Sequence, residues 1–177
     1  MPIRVQVVTE KYNPISFGIR LETGIFSHAE FIDTDMHVTF GARFIGGVKF
    51  RPCSKDHYTK VEQFTAAGIK LAYEWALTQE GKPYDLSAVA AIKLSAVGMK
   101  LKRNWRDPGR WFCSELVARS FEMAGVPKDQ WSSANPEAVP GYGKYALLST
   151  RPSASFYFIT PSELPMSRAL DYFTVNK

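Results

Sequence analysis

Three short segments at the beginning of the chain have the residue pattern of β-strands, and they constrain the fold more than any other feature of the sequence. In each segment, β-branched and aromatic residues alternate with other residue types. The segments are Ile3–Thr9, Ser16–Leu21 and Phe26–Asp33. Turn residues such as Asn13-Pro14 and Thr23-Gly24 separate them. We therefore expect these segments to be strands of an antiparallel sheet.

The following part of the chain predicts a hairpin and then helices. Two further strand-like segments, His37–Phe40 and Val48–Arg51, flank Gly46-Gly47, a pair that is typical of a hairpin or a bulged turn. Apolar residues then recur at helical spacing up to Gly81-Lys82-Pro83, which predicts the end of a helix. The predicted helices cover Tyr58 to about Gln79 and Leu86–Lys102.

The C-terminal part predicts one more helix, a strand and a short terminal helix. Leu116, Val117 and Phe121 form one apolar stripe, which predicts a helix that begins at Cys113 and stops at Gly125. A strand is predicted over Ser155–Ile159, and Pro161 fits the first position of a short helix. No repeat or linker divides the 177 residues. We expect residues 1–177 to form one α+β domain in which the sheet packs against helices.

Cys113 has the setting of a nucleophile. An extended aromatic approach, Trp111-Phe112, leads into the predicted helix, so the sulfur lies at a helix N-terminus. Unsatisfied N–H groups and the positive end of the helix dipole favour a thiolate there, and the same N–H groups can stabilise an oxyanion. The alternative is a small buried cysteine that only packs.

A cysteine nucleophile needs a base, and the chain has three histidines. His28 lies in the predicted strand Phe26–Asp33, where it shares one face with Glu30. His37 lies near a turn and His57 in a loop before a predicted helix, and structural roles are expected for both. A rigid strand positions an imidazole well, so His28 is the preferred candidate.

Composition narrows the class of protein. The net charge of +5 permits attraction to anionic partners, but no basic helix, zinc pattern or interleaved aromatic and glycine motif predicts nucleic-acid binding. Two cysteines, Cys53 and Cys113, form neither a disulfide framework nor a zinc site. We expect no metal or cofactor.

The sequence also predicts where the protein is made. The residues after Met1 do not form a signal peptide, and the longest apolar stretch, Leu86–Leu101, is interrupted by Lys93 and too short to span a bilayer. We expect a cytoplasmic protein with no integral membrane segment, and delivery to another compartment by a separate route stays open. The sequence does not determine the oligomeric state.

Four segments together resemble a known family. They are Ser27-His28-Ala29-Glu30, Gly81-Lys82-Pro83-Tyr84-Asp85, Trp111-Phe112-Cys113-Ser114-Glu115-Leu116-Val117 and Ile159-Thr160-Pro161-Ser162-Glu163-Leu164. This order, with the histidine strand before the cysteine helix, resembles the circularly permuted branch of the NlpC-type papain-like superfamily. That branch includes a group of amidases often called YaeF/YiiX-like and relatives around lecithin-retinol acyltransferase. The resemblance extends over roughly residues 17–164.

The resemblance implies a role for each matching residue. Cys113 matches the nucleophile and His28 the base, while Tyr84 matches a tyrosine that positions the substrate or the oxyanion. Backbone N–H groups of Cys113 and Ser114 would meet the oxyanion. The family pattern places a third polar residue on the strand after the histidine. That strand offers Thr39, and Glu30 on the histidine's own strand is the other candidate.

Several functions follow from this resemblance. The first is a cysteine amidase or peptidase that acts through a thioester, conceivably on bacterial cell-wall peptide. A lipid acyl-hydrolase or acyltransferase, with a lipid amide or ester as substrate, is a variant of that reading. The alternative from a different class is a domain that has kept the fold without the chemistry and serves as a binding module.

Overall fold

The computed structural model describes residues 2–11, 26–87, 109–126 and 171–173, and these contain one antiparallel sheet of six strands. The strands are β1 (Ile3–Glu10), β2 (His28–Asp33), β3 (Val38–Arg43), β4 (Gly47–Pro52), β5 (Tyr58–Thr65) and β6 (Asp171–Phe173). Their order across the sheet is β4-β3-β2-β1-β5-β6. The first four lie in the regions where alternation predicts strands, so the expected antiparallel sheet is confirmed.

The described residues also form two α-helices, which makes the architecture α+β as predicted. They are α1 (Ile69–Leu77) and α2 (Cys113–Met123), and a short 3-10 helix, Lys55–His57, precedes β5. Helix α2 begins at Cys113, as the apolar stripe predicts. It ends just before Gly125, whose φ of 85° is the left-handed conformation that terminates helices.

The core lies between one face of the sheet and the two helices. The ring of Phe31 on β2 packs edge-on against Tyr73 of α1, with ring centroids 5.6 Å apart. It also packs at a tilt against Phe121 of α2, with centroids 6.2 Å apart. Phe40 on β3 also contacts Tyr73, at 6.1 Å. Each fully buried aromatic of this kind contributes about 1.5–3 kcal/mol, so this layer fixes where the start of α2 lies against the sheet.

The opposite face of the central strands carries a row of polar side chains. In the register of β1, Gln6 lies opposite Glu30 of β2 on one side and opposite Gln63 of β5 on the other. The amide of Gln6 donates to Glu30 Oε1 at 3.3 Å, and the amide of Gln63 donates to Gln6 Oε1 at 3.1 Å. All three residues are buried, so this face is built around hydrogen bonds.

The prediction of a helix from Tyr58 to about Gln79 is wrong in its first half. Residues 58–65 form β5, which pairs with β1 and β6, and only Ile69–Leu77 is helical. Val61 and Phe64 have helical spacing, but the pairing of this segment with a strand on each side outweighs that local pattern. Gly68, with a φ of 73°, separates the strand from the helix.

The turn between β3 and β4 is joined to the loop that precedes Tyr84. Gly46 and Gly47 both have positive φ, as the predicted hairpin requires. The Val48 N–H donates to the Lys82 carbonyl, and the Gly81 N–H donates to the Val48 carbonyl, both at 2.8 Å. A side chain at Gly47 would lie 2.2 Å from the Lys82 carbonyl oxygen, so this contact requires glycine.

Some predicted elements lie outside the described residues. These are the strands Ser16–Leu21 and Ser155–Ile159, the short helix at Pro161, and all but the first two residues of the helix Leu86–Lys102. Among the residues that are described, none belongs to a helix with the length and apolar character needed to cross a membrane.

Candidate active site

Cys113 is the first residue of α2 and is fully buried. Two extended segments lead to it side by side: the Trp111 N–H donates to the Pro83 carbonyl at 3.1 Å, and the Asp85 N–H donates to the Trp111 carbonyl at 3.0 Å. This parallel bridge pairs Tyr84 with Trp111. The local backbone therefore places a tyrosine next to the first turn of the cysteine helix.

The structure brings Cys113 and His28 together. His28 is the first residue of β2 and lies opposite Val8 of β1, and its ring is almost completely buried. The charge and hydrogen-bonding capacity of Cys113 are among the causes that raise the pKa of His28, so the thiol and the ring lie next to each other. Two residues separated by most of the sequence thus form the thiol and imidazole pair that cysteine chemistry requires.

Glu30 completes a line of three side chains. Its Oε2 lies 3.0 Å from Nε2 of His28. The two residues are two positions apart on β2 and so lie on the same face of the sheet. The other candidate for this place, Thr39, lies opposite Ile32 and therefore further along β2. Of the two candidates that the sequence offers, Glu30 is the one that contacts the histidine.

The carboxylate of Glu30 is fully buried but has many donors. Arg43 donates to both of its oxygens through Nη2 at 3.0 Å. The Tyr58 hydroxyl donates to Oε1 at 3.2 Å, and the Gln6 amide donates to the same oxygen at 3.3 Å. Together with His28, these contacts offset the cost of burying a charge.

The electrostatics of the site favour a charged histidine beside a charged carboxylate. Burial and the Arg43 guanidinium each lower the pKa of His28, but the charge of Glu30 and the charge and hydrogen bond of Cys113 outweigh them and raise it to about 9. Burial by itself raises the pKa of Glu30. The charges and hydrogen bonds of His28 and Arg43 outweigh it and lower the pKa of Glu30 to about 2. At neutral pH the pair is imidazolium and carboxylate.

Tyr84 contacts the sulfur from another side. Its hydroxyl interacts with Cys113, and its ring packs against Phe112 at 5.8 Å and against Phe44 at 6.5 Å. Burial, followed by the charge and hydrogen bond of Cys113, raises the pKa of Tyr84. The hydroxyl therefore keeps its proton at neutral pH and can donate it to a thiolate.

Ser114 follows Cys113 in the first turn of α2 and is buried. The Leu116 N–H donates to the Phe112 carbonyl at 3.0 Å, which is the first bond of this helix. The N–H groups of Cys113 and Ser114 precede that bond. N–H groups in the first turn of a helix can bind an oxyanion.

The remaining histidines and cysteine lie in other settings. His37 is in the turn between β2 and β3 with a φ of 52°, and His57 is exposed at the end of the 3-10 helix. Cys53 is half-buried, and its N–H donates to the His37 carbonyl at 2.9 Å. The described residues hold no group of three or more His, Cys, Asp or Glu side chains that is arranged for a metal.

Sequence reasoning did not find the residues that surround Glu30. Gln6 is the one polar residue in the apolar run from Val5 to Val8, which is a usable signal for a polar face. The helical spacing of the sequence places Tyr58 in a predicted helix, so its position beside Glu30 does not follow from the sequence. Arg43 ends a strand, and only the register of the sheet shows which carboxylate it reaches.

A scan of the sequence against protein-family models finds no matching family, and a search of curated proteins finds no relative at a significant level. The geometry of the site is therefore the observation from which its function is argued.

Proposed function

We propose that this protein is a cysteine-dependent amide hydrolase, an amidase or cysteine peptidase with Cys113 as nucleophile and His28 as acid and base. One observation carries the proposal. A thiol at the start of a helix interacts with an imidazole whose Nε2 lies 3.0 Å from the oxygen of a buried carboxylate. This order of thiol, imidazole and acceptor is the arrangement that activates a cysteine for acyl transfer.

The first step forms a thioester. The Cys113 thiolate, paired with the His28 imidazolium, attacks the substrate carbonyl carbon, so that a carbon–sulfur bond forms and the carbonyl electrons move to oxygen. Backbone N–H groups of Cys113 and Ser114 donate to that oxyanion. The carbonyl then re-forms, the bond to nitrogen breaks, and His28 gives its proton to the departing amine.

The second step releases the acid. Water attacks the thioester carbon while His28 removes a proton from the water. When the carbon–sulfur bond breaks, Cys113 leaves as a thiolate next to the imidazolium. The second step thus restores the starting ion pair, and a carboxylic acid is the product. A hydroxyl or amine in place of water would give acyl transfer instead.

Glu30 and Tyr84 support these steps from either side. Since Nε2 of His28 is engaged by Glu30, Nδ1 is the ring nitrogen that remains for the sulfur. The carboxylate fixes this orientation and stabilises the imidazolium. The Tyr84 hydroxyl donates to the thiolate and holds the sulfur until substrate arrives.

The finer assignment of the fold is part of the same proposal. The α+β architecture, with the histidine on β2 and the cysteine at the start of the later helix α2, supports a circularly permuted papain-like domain of the NlpC type. The carboxylate is supplied by the histidine's own strand rather than by the next one, which departs from the usual pattern of that group.

The reaction requires that the site opens. Cys113 is fully buried and His28 is only 4% exposed, so the site has to open before a substrate carbonyl reaches the sulfur. Closure around the substrate would then exclude water from the thioester until the amine has left. The substrate is a peptide amide in this proposal, with bacterial cell-wall peptide as one source.

A second candidate, a lipid acyl-hydrolase or acyltransferase, is favoured by one feature. The turn between β3 and β4 exposes Phe44 and Ile45, which are 46% and 79% accessible. Phe44 contacts Tyr84, which in turn contacts Cys113. This apolar path could hold an acyl chain. Esters of increasing chain length distinguish the two, since only a lipid enzyme gains from longer chains and loses that gain in Phe44→Ser.

Trapping of the thioester tests the proposal. The protein is mixed with a panel of activated amides and esters, quenched in acid and analysed by intact mass. We expect an acyl adduct on Cys113 that hydroxylamine removes, and none in Cys113→Ala or His28→Ala. A protein that accumulates no adduct and turns over no substrate is a binding module, the alternative from the other class.

A further inference from the structure

We infer that Arg43 is a positioning residue: resting on the proposed function, its guanidinium holds the Glu30 carboxylate in one orientation and thereby aims the His28 ring at Cys113. Arg43 ends β3 and donates to Glu30, and Glu30 in turn contacts the imidazole of His28. Sequence motifs gave no role to this residue.

The contacts of Arg43 fit a clamp more than an ordinary ion pair. Nη2 lies 3.0 Å from both oxygens of Glu30, and Nε lies 3.3 Å from Oε2. Nη1 donates to Glu10 Oε1 at 2.9 Å, and Nη2 also reaches the Tyr58 hydroxyl at 2.5 Å. A planar guanidinium held at three points fixes the plane of the carboxylate, which a lysine ammonium cannot do.

Charge alternates along this line of side chains. It runs from Glu10 through Arg43 and Glu30 to His28 and ends at the Cys113 sulfur. The two outer side chains are more exposed, with 11% for Glu10 and 21% for Arg43, than the two inner ones, with 0% for Glu30 and 6% for His28. The line therefore ties the buried pair to groups near the surface.

Arg43 affects His28 in two ways that can be separated. Its charge lowers the pKa of His28, while its bonds to Glu30 hold the acceptor that the ring needs. Loss of the Arg43 charge should raise the pKa of the His28 ring. Loss of the guanidinium hydrogen bonds to Glu30 should weaken the hydrogen bond between Glu30 and His28. A merely structural arginine would do neither. The charged or titratable groups around the ring are Glu30, Arg43 and Cys113, with Tyr58, Glu10 and Tyr84 next to them.

Nuclear magnetic resonance of histidine labelled with ¹⁵N tests the inference without any substrate. Signals of His28 are assigned with His28→Ala, and the titration and the solvent exchange of its Nε2 proton are followed. In Arg43→Gln we expect the titration midpoint to rise by about one pH unit. In Arg43→Lys the midpoint stays near that of the parent protein.

The proton exchange reports the clamp itself. We expect exchange of the His28 Nε2 proton to be about tenfold faster in both Arg43 variants. Without the guanidinium the Glu30 carboxylate is no longer held in one orientation, so its hydrogen bond with Nε2–H is weaker. Arg4→Gln is the matched control, since Arg4 is a half-buried arginine on the same face whose Nη1 donates to Gln63 Oε1 at 3.0 Å. Both readouts should be unchanged in it.

The outcomes separate this inference from the proposed function. A His28 midpoint and exchange rate in Arg43→Gln equal to those of Arg4→Gln overturn the inference whatever the activity. If Arg43→Gln does not fold, unchanged exchange in Arg43→Lys overturns it. If the expected changes at His28 are observed but the parent protein forms no thioester, the missing thioester contradicts the proposed function. The changes at His28 still support the role of Arg43.

Discussion

The carboxylate of Glu30 lies 3.0 Å from Nε2 of His28, and the two residues are two positions apart on one strand. Successive odd or even positions of a strand share a face, so a single rigid element positions both the base and its acceptor. The strand lies inside the sheet, between β1 and β3, which limits its movement. In this account the geometry of the base depends on one strand and its neighbours.

Glu30→Gln should reduce hydrolysis strongly. The amide has nearly the same shape but no charge, so it neither raises the pKa of His28 nor fixes the ring with a charged acceptor. We expect kcat to fall by about 10⁴-fold, as in a serine triad whose acid is replaced by its amide. Steady-state rates with the amide on which the parent protein acts provide the measurement.

Thr39→Val is the control for that substitution. Thr39 is buried like Glu30 but lies opposite Ile32, away from the histidine. Its rate should remain within about twofold of the parent rate, as expected for a conservative change outside a hydrogen-bonded site. Equal losses in the two variants would assign the effect to general damage of the sheet.

The rate of hydrolysis should fall at alkaline pH. The pKa of His28 is raised to about 9, so the ring is an imidazolium at neutral pH and loses its proton as the pH passes about 9. The departing amine then has no proton donor. A pH profile of kcat should therefore show an alkaline limb near 9, and a limb near 6.5 would contradict the ion pair.

The stability of the protein should fall in acid because of Glu30. Its pKa is lowered to about 2 from 4.5, so its contribution is present above pH 4.5 and is lost as the pH falls toward 2. The shift corresponds to a loss of about 3 kcal/mol. Urea unfolding between pH 7 and pH 2 measures it, and Glu30→Gln should lose correspondingly less over this range.

Gly41→Ala should disturb the site from the neighbouring strand. A Cβ at Gly41 would lie 2.8 Å from Cβ of Glu30 and 3.3 Å from its Cα, so Glu30 must shift. We expect a loss of about 1–3 kcal/mol in unfolding free energy together with slower hydrolysis. Gly81→Ala is the control. The φ of 83° at this position would strain the backbone of an alanine, but an added Cβ would have no atom within 4 Å. It should lose stability only.

Local pattern predicted much of the fold where one signal dominates. Alternation gave β1 and β2 almost to the residue, and the apolar stripe with Gly125 gave α2. It failed at residues 58–65, since Val61 and Phe64 fit a helix as well as a strand. Only the pairing of β5 with β1 decides between them, and that pairing depends on distant residues.

The candidate site was predictable in its residue types more than in its geometry. A cysteine at a helix start and a histidine on a strand can be read from sequence, and so can a carboxylate on the same face. The choice of Glu30 over Thr39 required the register of β3 against β2. The clamp by Arg43 and Tyr58 required the whole sheet, because these residues come from separate strands.

Labelling of Cys113 by iodoacetamide at pH 7 tests the central claim most directly. The account predicts faster labelling of Cys113 than of Cys53, and slowing by about tenfold or more in His28→Ala, since a cysteine without such a base is only a few per cent thiolate at pH 7. His57→Ala should have no effect. Labelling of Cys113 no faster than that of Cys53, or equal rates in the two histidine variants, would contradict the pairing of Cys113 with His28 as a reactive unit.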